Sequence, residues 1–184
     1  MEEQELLHQV LDTCKSFEDK CRNLDGVVKK CRKFGGAVTV EVLRHFLQRH
    51  GIPVSPRDVY INGLPTEIDL LIPRSSARPT HGMLYEPEQV LCVLEVKKLG
   101  SFGQPAVDAV KDNFRRVRKL RKGIQCAYVT LEERKSYKYR PTRGKIGFPC
   151  YTLFWHSGGQ AQHKTPTRDW SKLVAFLETA ARTG

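Results

Sequence analysis

The strand that decides this fold is Val90-Leu91-Cys92-Val93-Leu94-Glu95-Val96-Lys97-Lys98. The run is apolar and β-branched, which predicts a buried strand, but it ends in charged side chains. Because side chains at i and i+2 share one face of a strand, we expect Glu95 and Lys97 to point the same way. Val93 and Leu91 should lie on that face too. Burying a charge is costly unless it is paired or binds a metal. The pattern therefore indicates a functional strand end, with an ordinary surface ion pair as the alternative.

A second apolar strand upstream repeats the pattern as Thr66-Glu67-Ile68-Asp69-Leu70-Leu71-Ile72. Its period of two places Glu67 and Asp69 on one face. On neighbouring strands, Asp69 and Glu95 would supply the oxygen ligands that Mg²⁺ (or Mn²⁺) prefers, with the carbonyl of Val96 adjacent. Such a metal neutralises a phosphate and lowers the pKa of its bound water. The two strands therefore predict a site for phosphodiester hydrolysis.

Other charged residues receive roles around that metal. Lys97 would sit over the scissile phosphate, as a cation for the transition-state charge or as an orienter of the attacking water. Glu41, on the preceding helix, would be an outer ligand through water, although the helix dipole alone also favours a glutamate there. Glu67 is an accessory residue, either orienting or in a salt bridge. Lys98 alternates to the opposite face, where we expect it in solvent.

The N-terminal segment carries an apolar stripe with alternating spacings of three and four, which predicts a helix over residues 4–33, with a break near Asp25-Gly26. The stripe either packs onto its own chain or forms a coiled-coil seam, which would make a homodimer. Its members are Leu7, Val10, Cys14, Phe17, Cys21, Leu24, Val28 and Cys31.

Gly35-Gly36 is expected to separate this helix from the next element. The turn signals and periodicities downstream predict one α/β domain. The predicted elements are a helix over 37–50, strands over 59–61, 66–72 and 90–97, a loop over 73–88, a helix over 105–122, strands over 124–131 and 150–155 with a basic loop between them, and a helix over 168–182.

The net charge of +11 is concentrated between residues 111 and 145, where 13 basic residues face three acidic ones. Such a segment suits a polyanion such as DNA, and solubility is the alternative explanation. Its loop interleaves cations with tyrosines that would stack on unpaired bases, unless the loop is merely solvated. The candidate nucleic-acid-binding residues are Lys111, Arg115, Arg118, Lys122, Arg134, Lys135, Tyr137, Lys138, Tyr139, Arg140 and Arg143.

Composition narrows the class of protein. The chain has 184 residues with 40% hydrophobic and 28% charged residues, which is typical of one globular domain. No apolar run reaches the roughly 20 residues of a membrane span, and the N-terminus is acidic, so we expect a cytoplasmic protein without a membrane partner. The six cysteines show no zinc-binding spacing and are expected to be reduced packing residues.

These motifs together resemble the PD-(D/E)xK nuclease superfamily, which has the restriction-endonuclease-like fold. Residues 37–131 follow the αβββαβ order of its core. Asp69 matches the acidic residue of the second strand, and Glu95-Val96-Lys97 matches the E-x-K of the third. Glu41 matches the helical glutamate of several branches.

Two positions depart from the pattern. Ile68 replaces the proline that names the motif. In the branches with Q-x-x-x-Y on the following helix, Gln104 would match the glutamine, but Asp108 stands at the tyrosine position. Gln104 is therefore given only an accessory role.

The resemblance implies a mixed central sheet flanked by helices, with an extra N-terminal helix and a C-terminal strand and helix. Within the single domain, 1–34 would be a helical extension, 37–131 the catalytic core, and 132–184 the basic loop, extra strand and last helix. The function implied is a divalent-metal-dependent endonuclease or exonuclease acting on DNA. The alternatives are a nucleic-acid-binding module or an assembly protein that keeps the fold without cleaving.

Overall fold

A computed structural model of the protein describes residues 2–22, 27–99, 104–134, 142–156 and 164–182. None of the helices in these ranges is long and apolar enough to cross a membrane. The elements are α1 (Glu2–Cys21), α2 (Val27–Arg49), β1 (Tyr60–Ile61), β2 (Leu70–Pro73), β3 (Leu84–Tyr85), a 3₁₀ turn (Pro87–Gln89), β4 (Val90–Leu99), α3 (Gln104–Leu120), β5 (Gln125–Arg134), α4 (Arg143–Ile146), β6 (Cys150–His156), β7 (Lys164–Pro166) and α5 (Asp169–Arg182).

A five-stranded mixed sheet in the order β2-β4-β5-β6-β7 forms the centre of the domain. Strands β4, β5 and β6 are mutually parallel, while β2 and β7 run antiparallel at the two edges. A separate parallel pair joins β1 to β3. The expected α/β class with a mixed sheet is confirmed.

Helices cover both faces of the sheet, which explains why β4 is apolar almost throughout. Helices α1, α2 and α5 pack on one face through residues such as Leu7, Leu43 and Leu173. Helix α3 covers the other face, where Phe114 and Val117 are completely buried. The sheet thus lies between two hydrophobic clusters.

A β-bulge in β4 changes which side chains share a face. Ile72 pairs with Cys92, but Pro73 pairs with Val90, so Leu91 is an extra residue in β4. Leu91 belongs to the cluster on the α1/α2/α5 face, whereas Val93 belongs to the α3 face. The expectation that Leu91 shares the face of Glu95 and Lys97 is therefore wrong, because the bulge shifts the alternation by one residue.

The N-terminal helices also differ from expectation. Helix α1 ends at Cys21, and α2 runs from Val27 through Gly35-Gly36 to Arg49 without a break. A glycine inside a helix costs only about 1 kcal/mol relative to alanine, which packing readily offsets. Leu7 and Val10 of the apolar stripe are buried within this chain. Phe17 stacks on Phe34 with ring centroids 4.1 Å apart. The side chains of Leu24, Val28 and Cys31 lie outside the described residues.

Short elements were missing from the sequence prediction. Strand β3, helix α4 and strand β7 are only two to four residues long, too short for a periodic signal. Strand β2 begins at Leu70 rather than Thr66, because only an isolated bridge between Val59 and Ile68 precedes it. Five of the six cysteines are described, and all five are free.

Candidate active site

The end of β2 positions Asp69. Leu70 pairs with Leu94 of β4, so Asp69 lies just beyond the last ladder pair. Its Oδ2 accepts a hydrogen bond of 2.7 Å from the backbone N–H of Val96. The carboxylate thereby replaces a main-chain partner for β4, which fixes it at this edge of the sheet.

Two strand residues complete an acidic–lysine cluster, defined as Asp69, Glu95 and Lys97. The Lys97 Nζ atom lies 2.5 Å from Glu95 Oε1 and 3.4 Å from Asp69 Oδ2. Because the Glu95 and Asp69 oxygens both contact the Lys97 Nζ atom, the distance between the two oxygens cannot exceed the sum of these two contact distances. The side chain of Lys97 is 44% exposed, so the cluster opens to solvent.

Burial and the charges of neighbouring groups shift the pKa values of Glu95 and Lys97. Burial raises the pKa of Glu95, and the nearby Asp69 carboxylate raises it further, while Lys97 opposes both. Burial alone would lower the pKa of Lys97, but its interactions with Glu95 and Asp69 outweigh that effect and raise it. Lys97 is therefore held as a cation at neutral pH. A second positive charge nearby would further stabilise the ionised form of Glu95.

The donor set fits a hard divalent ion. Within the described ranges, no group of three or more His, Cys, Asp or Glu side chains forms a metal site. Mg²⁺ usually takes only one or two carboxylates and completes its octahedron with water or carbonyl oxygens. Asp69, Glu95 and the carbonyl of Val96 suit Mg²⁺ or Mn²⁺, whereas structural zinc would need four side-chain ligands.

Two cavities flank Lys97. One, of about 310 Å³, lies between β4 and α3 and is lined mainly by apolar side chains, including Ala106, Ala109 and Tyr128. The other, of about 430 Å³, lies beside α2, and we call it the α2 cleft. The α2 cleft is lined by Lys33, Gly36, Ala37, Val40, Arg57, Asp58, Glu67, Asp69, Val96, Lys97 and Lys98.

Glu41 has partners on its own helix. Its carboxylate lies 2.5 Å from Arg44 Nη2 and 3.1 Å from His45 Nε2. The hydrogen bond from Arg44 lowers the pKa of Glu41, although burial acts in the opposite direction. Val40 lines the α2 cleft, but Glu41 does not. The structure therefore brings Asp69, Glu95 and Lys97 together and leaves Glu41 in a separate ion pair.

The accessory residues lie nearby. Glu67 lines the α2 cleft and accepts a hydrogen bond of 3.2 Å from the Tyr60 hydroxyl. Gln104 donates to Asp108 at 2.9 Å, and both side chains are exposed at the start of α3.

Arg121, which directly follows α3, lies at the opposite end of β4 from Glu95. Arg121 donates to the carbonyl of Val90, the first residue of β4, at 3.0 Å. Val90 and Glu95 are five residues apart, which is about 17 Å along a strand. Arg115 pairs with Asp112, and Arg118 donates to the carbonyl of Lys122. We call Arg115, Arg118, Arg121 and Lys122 the α3 basic face. Its Arg121 end lies far from Glu95, whereas Val110, earlier in α3, lines a cavity with Glu95 and Lys97.

The other basic candidates are only partly described. Lys111 is half-buried on α3, and Arg143 is exposed on α4. Lys135, Tyr137, Lys138, Tyr139 and Arg140 lie outside the described residues, as does the side chain of Arg134.

Sequence reasoning missed part of the α2 cleft. Lys33, Gly36 and Arg57 received no role, and Lys98 was expected in solvent. Lys98 is instead half-buried, and its side chain packs close to Gly35, where an added Cβ would lie 3.4 Å from the Lys98 Cδ atom. The sequence signal for the cleft was the glycine pair Gly35-Gly36 within an otherwise helical stretch, which had instead been expected to separate two helices.

Comparison with known proteins identifies the fold. No protein-family profile and no curated protein matches this chain. The cAAA-bound form of NucC from P. aeruginosa ATCC27853 aligns with a TM-score of 0.57 and 16% identity, covering 97% of this chain and 91% of that one. The cAAA-bound form of E. coli MS115-1 NucC aligns with a TM-score of 0.55 and 13% identity, covering 97% and 90%. The apo form of the latter gives 0.52 and 12%, covering 93% and 90%.

NucC is a PD-(D/E)xK nuclease, so the chain has the restriction-endonuclease-like fold that the sequence resemblance implied.

Proposed function

We propose that this protein is a divalent-metal-dependent nuclease that hydrolyses phosphodiester bonds in DNA. The observation that carries the proposal is the convergence of Asp69, Glu95 and Lys97 at the sheet edge, with Nζ contacting both carboxylates. A restriction-endonuclease-like fold around that cluster supports the same reaction.

Asp69, Glu95 and the Val96 carbonyl would hold Mg²⁺ or Mn²⁺. When bound, the metal supplies charge neutralisation at the phosphate and a bound water of lowered pKa. The hydrogen bond from Val96 N–H fixes the Asp69 carboxylate before substrate arrives. Lys97 stays protonated between two carboxylates, so its ammonium is available to the charge that develops on the phosphate oxygens or to the attacking water.

DNA as the partner is supported by charge. The chain carries a net charge of +11, and exposed cations lie on α3 and α4. Neutralising phosphates releases counterions, which favours binding of a polyanion at low salt. Arg134, Lys135, Tyr137, Lys138, Tyr139 and Arg140 remain proposed contacts with phosphates and bases.

The decisive experiment compares Asp69→Asn and Glu95→Gln with the unmodified chain in a cleavage assay. Plasmid, single-stranded DNA, branched DNA and RNA are incubated with Mg²⁺, with Mn²⁺ or with EDTA. Because E. coli MS115-1 NucC has both a cAAA-bound and an apo structure, each reaction is run with and without cAAA. We expect loss of cleavage by at least about 100-fold in both variants, with DNA binding retained.

Asp19→Asn and Glu178→Gln are matched controls, because both remove an exposed carboxylate from a helical ion pair. They should cleave as the unmodified chain does. Full activity in either cluster variant would contradict the assignment. DNA binding without cleavage under every condition would instead identify a non-catalytic binding module.

A further inference from the structure

The two neighbouring glycines of α2, Gly35 and Gly36, have different surroundings. An added Cβ at Gly35 would lie 3.4 Å from Cys14 Sγ and 3.4 Å from Lys98 Cδ, so close packing explains that glycine. An added Cβ at Gly36 would meet no atom of the described residues within 4 Å. Gly36 instead lines the α2 cleft. A glycine in a helix that faces open space allows a ligand to approach the backbone closely.

Three cations from separate parts of the chain open onto the same cleft. Lys33 precedes Gly36 by one turn of α2, Arg57 comes from the segment between α2 and β1, and Lys98 comes from β4. Lys33 and Arg57 are exposed, and Lys98 is half-buried. The cleft continues to Asp69 and Lys97, so an anion held by these cations would lie next to the acidic–lysine cluster.

The carboxylates of the cleft are largely engaged. Asp58 pairs with Arg57 at 2.8 Å, Glu67 accepts from Tyr60, and Asp69 contacts Lys97. Among the described residues, neither Lys33 nor Lys98 has a carboxylate within ion-pair distance. Lysine ammonium groups that have no carboxylate partner in the described part of the chain, beside an open backbone position, suit the phosphate oxygens of a nucleic-acid strand.

We infer that the α2 cleft binds the phosphodiester backbone of a nucleic-acid strand and leads it to the acidic–lysine cluster. Lys33, Lys98 and Arg57 contact phosphates, and Gly36 lets the strand lie against α2. The direction toward the cluster rests on the proposed function, but strand binding in the cleft does not.

Substitutions at Gly36 test this inference, because a side chain there should stabilise the helix but obstruct a strand in the cleft. Gly36→Ala fills open space in a helix, so the Tm should rise by about 2–4 °C. Gly36→Leu should weaken binding of a short fluorescein-labelled single-stranded oligodeoxynucleotide by about 10-fold or more. Binding is measured by fluorescence anisotropy in EDTA, where no metal-dependent cleavage occurs.

The double variant Lys33→Ala/Lys98→Ala gives an independent measurement. The slope of log affinity against log salt for the same oligonucleotide should fall by about 0.7 for each lysine removed. Lys15→Ala/Lys20→Ala is the matched control, because it removes the same charge from exposed positions of α1. The control should leave the slope unchanged.

The results separate this inference from the proposed function. If the unmodified chain cleaves DNA but the lysine double variant binds like its α1 control, the cleft is not the strand site and the inference is overturned. If the cleft variants weaken binding while no condition gives cleavage, strand binding in the cleft stands and the nuclease assignment does not. If Gly36→Leu fails to fold by circular dichroism, the lysine variants alone decide.

Discussion

The α2 cleft and the α3 basic face are both cationic, but they differ in their relation to the acidic–lysine cluster. The cleft has few cations, and they lie beside Asp69 and Lys97. The α3 basic face has more, but Arg115 already pairs with Asp112, and Arg118 already donates to the carbonyl of Lys122. Arg121 places the end of this helix near the start of β4. Under the proposed function, the α3 basic face would add affinity for a polyanion, while the α2 cleft, next to the cluster, would hold the scissile phosphate.

This difference follows from the distance dependence of electrostatics. At physiological salt, charges in solvent more than about 8 Å apart are largely screened from one another. Arg121, some 17 Å along β4 from Glu95, is therefore too distant to stabilise charge on a phosphate at the acidic–lysine cluster. The α3 basic face should serve affinity for long substrates, and the α2 cleft should serve substrates of any length.

The largest effect is expected at Lys97, which lines both cavities. Lys97→Met should lower kcat for cleavage by about 10²- to 10³-fold, because one preorganised cation at the transition state is lost. Lys98→Met is the matched control from the opposite face of β4. It should weaken substrate binding and raise KM while leaving kcat within a few-fold. Equal losses of kcat in the two variants would contradict the assignment of Lys97 to the chemical step and of Lys98 to substrate binding.

An intermediate effect is expected on the α3 basic face. The triple variant Arg115→Ala/Arg118→Ala/Lys122→Ala should flatten the salt dependence of long-duplex binding by up to about 0.9 per residue. Binding of a short oligonucleotide, which the α2 cleft alone can hold, should change little. The measurement is anisotropy across a salt series with both substrates. A similar loss for the short oligonucleotide would assign the scissile strand to α3 instead.

The smallest effect is expected at Glu41, at the border of the cleft. Glu41→Gln should lower the free energy of unfolding at pH 7 by about 1 kcal/mol or less, because a partly buried pair with Arg44 on one helix is lost. Since folding lowers the pKa of Glu41, its contribution is present above the ordinary carboxyl pKa. It disappears as the pH falls through the folded value. Urea unfolding of both proteins across acidic pH should therefore show the two stabilities converging.

The same variant tests the metal-ligand role that the sequence gave to Glu41. Glu178→Gln is the control, because Glu178 also pairs with an arginine one helical turn away. Cleavage equal to that of the control would leave Glu41 a helix-pairing residue. A raised Mg²⁺ requirement in Glu41→Gln alone would support the outer-ligand role.

Local patterns predicted most of the fold. The spacing of Val107, Val110, Phe114 and Val117 predicted α3 within one or two residues at each end, since a periodic face specifies a helix directly. The charged end of a buried strand located Glu95 and Lys97, because charge is rarely buried without a role. Such signals lie within a few residues of sequence.

Features that depend on contacts between distant segments were missed. The bulge at Leu91 depends on the register between β2 and β4, which no single strand reveals. Gly35 of the continuous helix α2 lies close to Cys14 and Lys98, which are distant in sequence. The cleft cations come from three segments that only the tertiary fold brings together.

The bulge in β4 also determines where in this strand an insertion or deletion can be tolerated. Because the extra residue lies at Leu91, loss of one residue there would straighten the strand while leaving Leu94 opposite Leu70. Loss of one residue between Val93 and Lys97 would instead turn the remaining charged side chains to the wrong side of the sheet. Single-codon length changes should therefore be tolerated in the first half of this strand and eliminated from the second half, where the charged side chains lie.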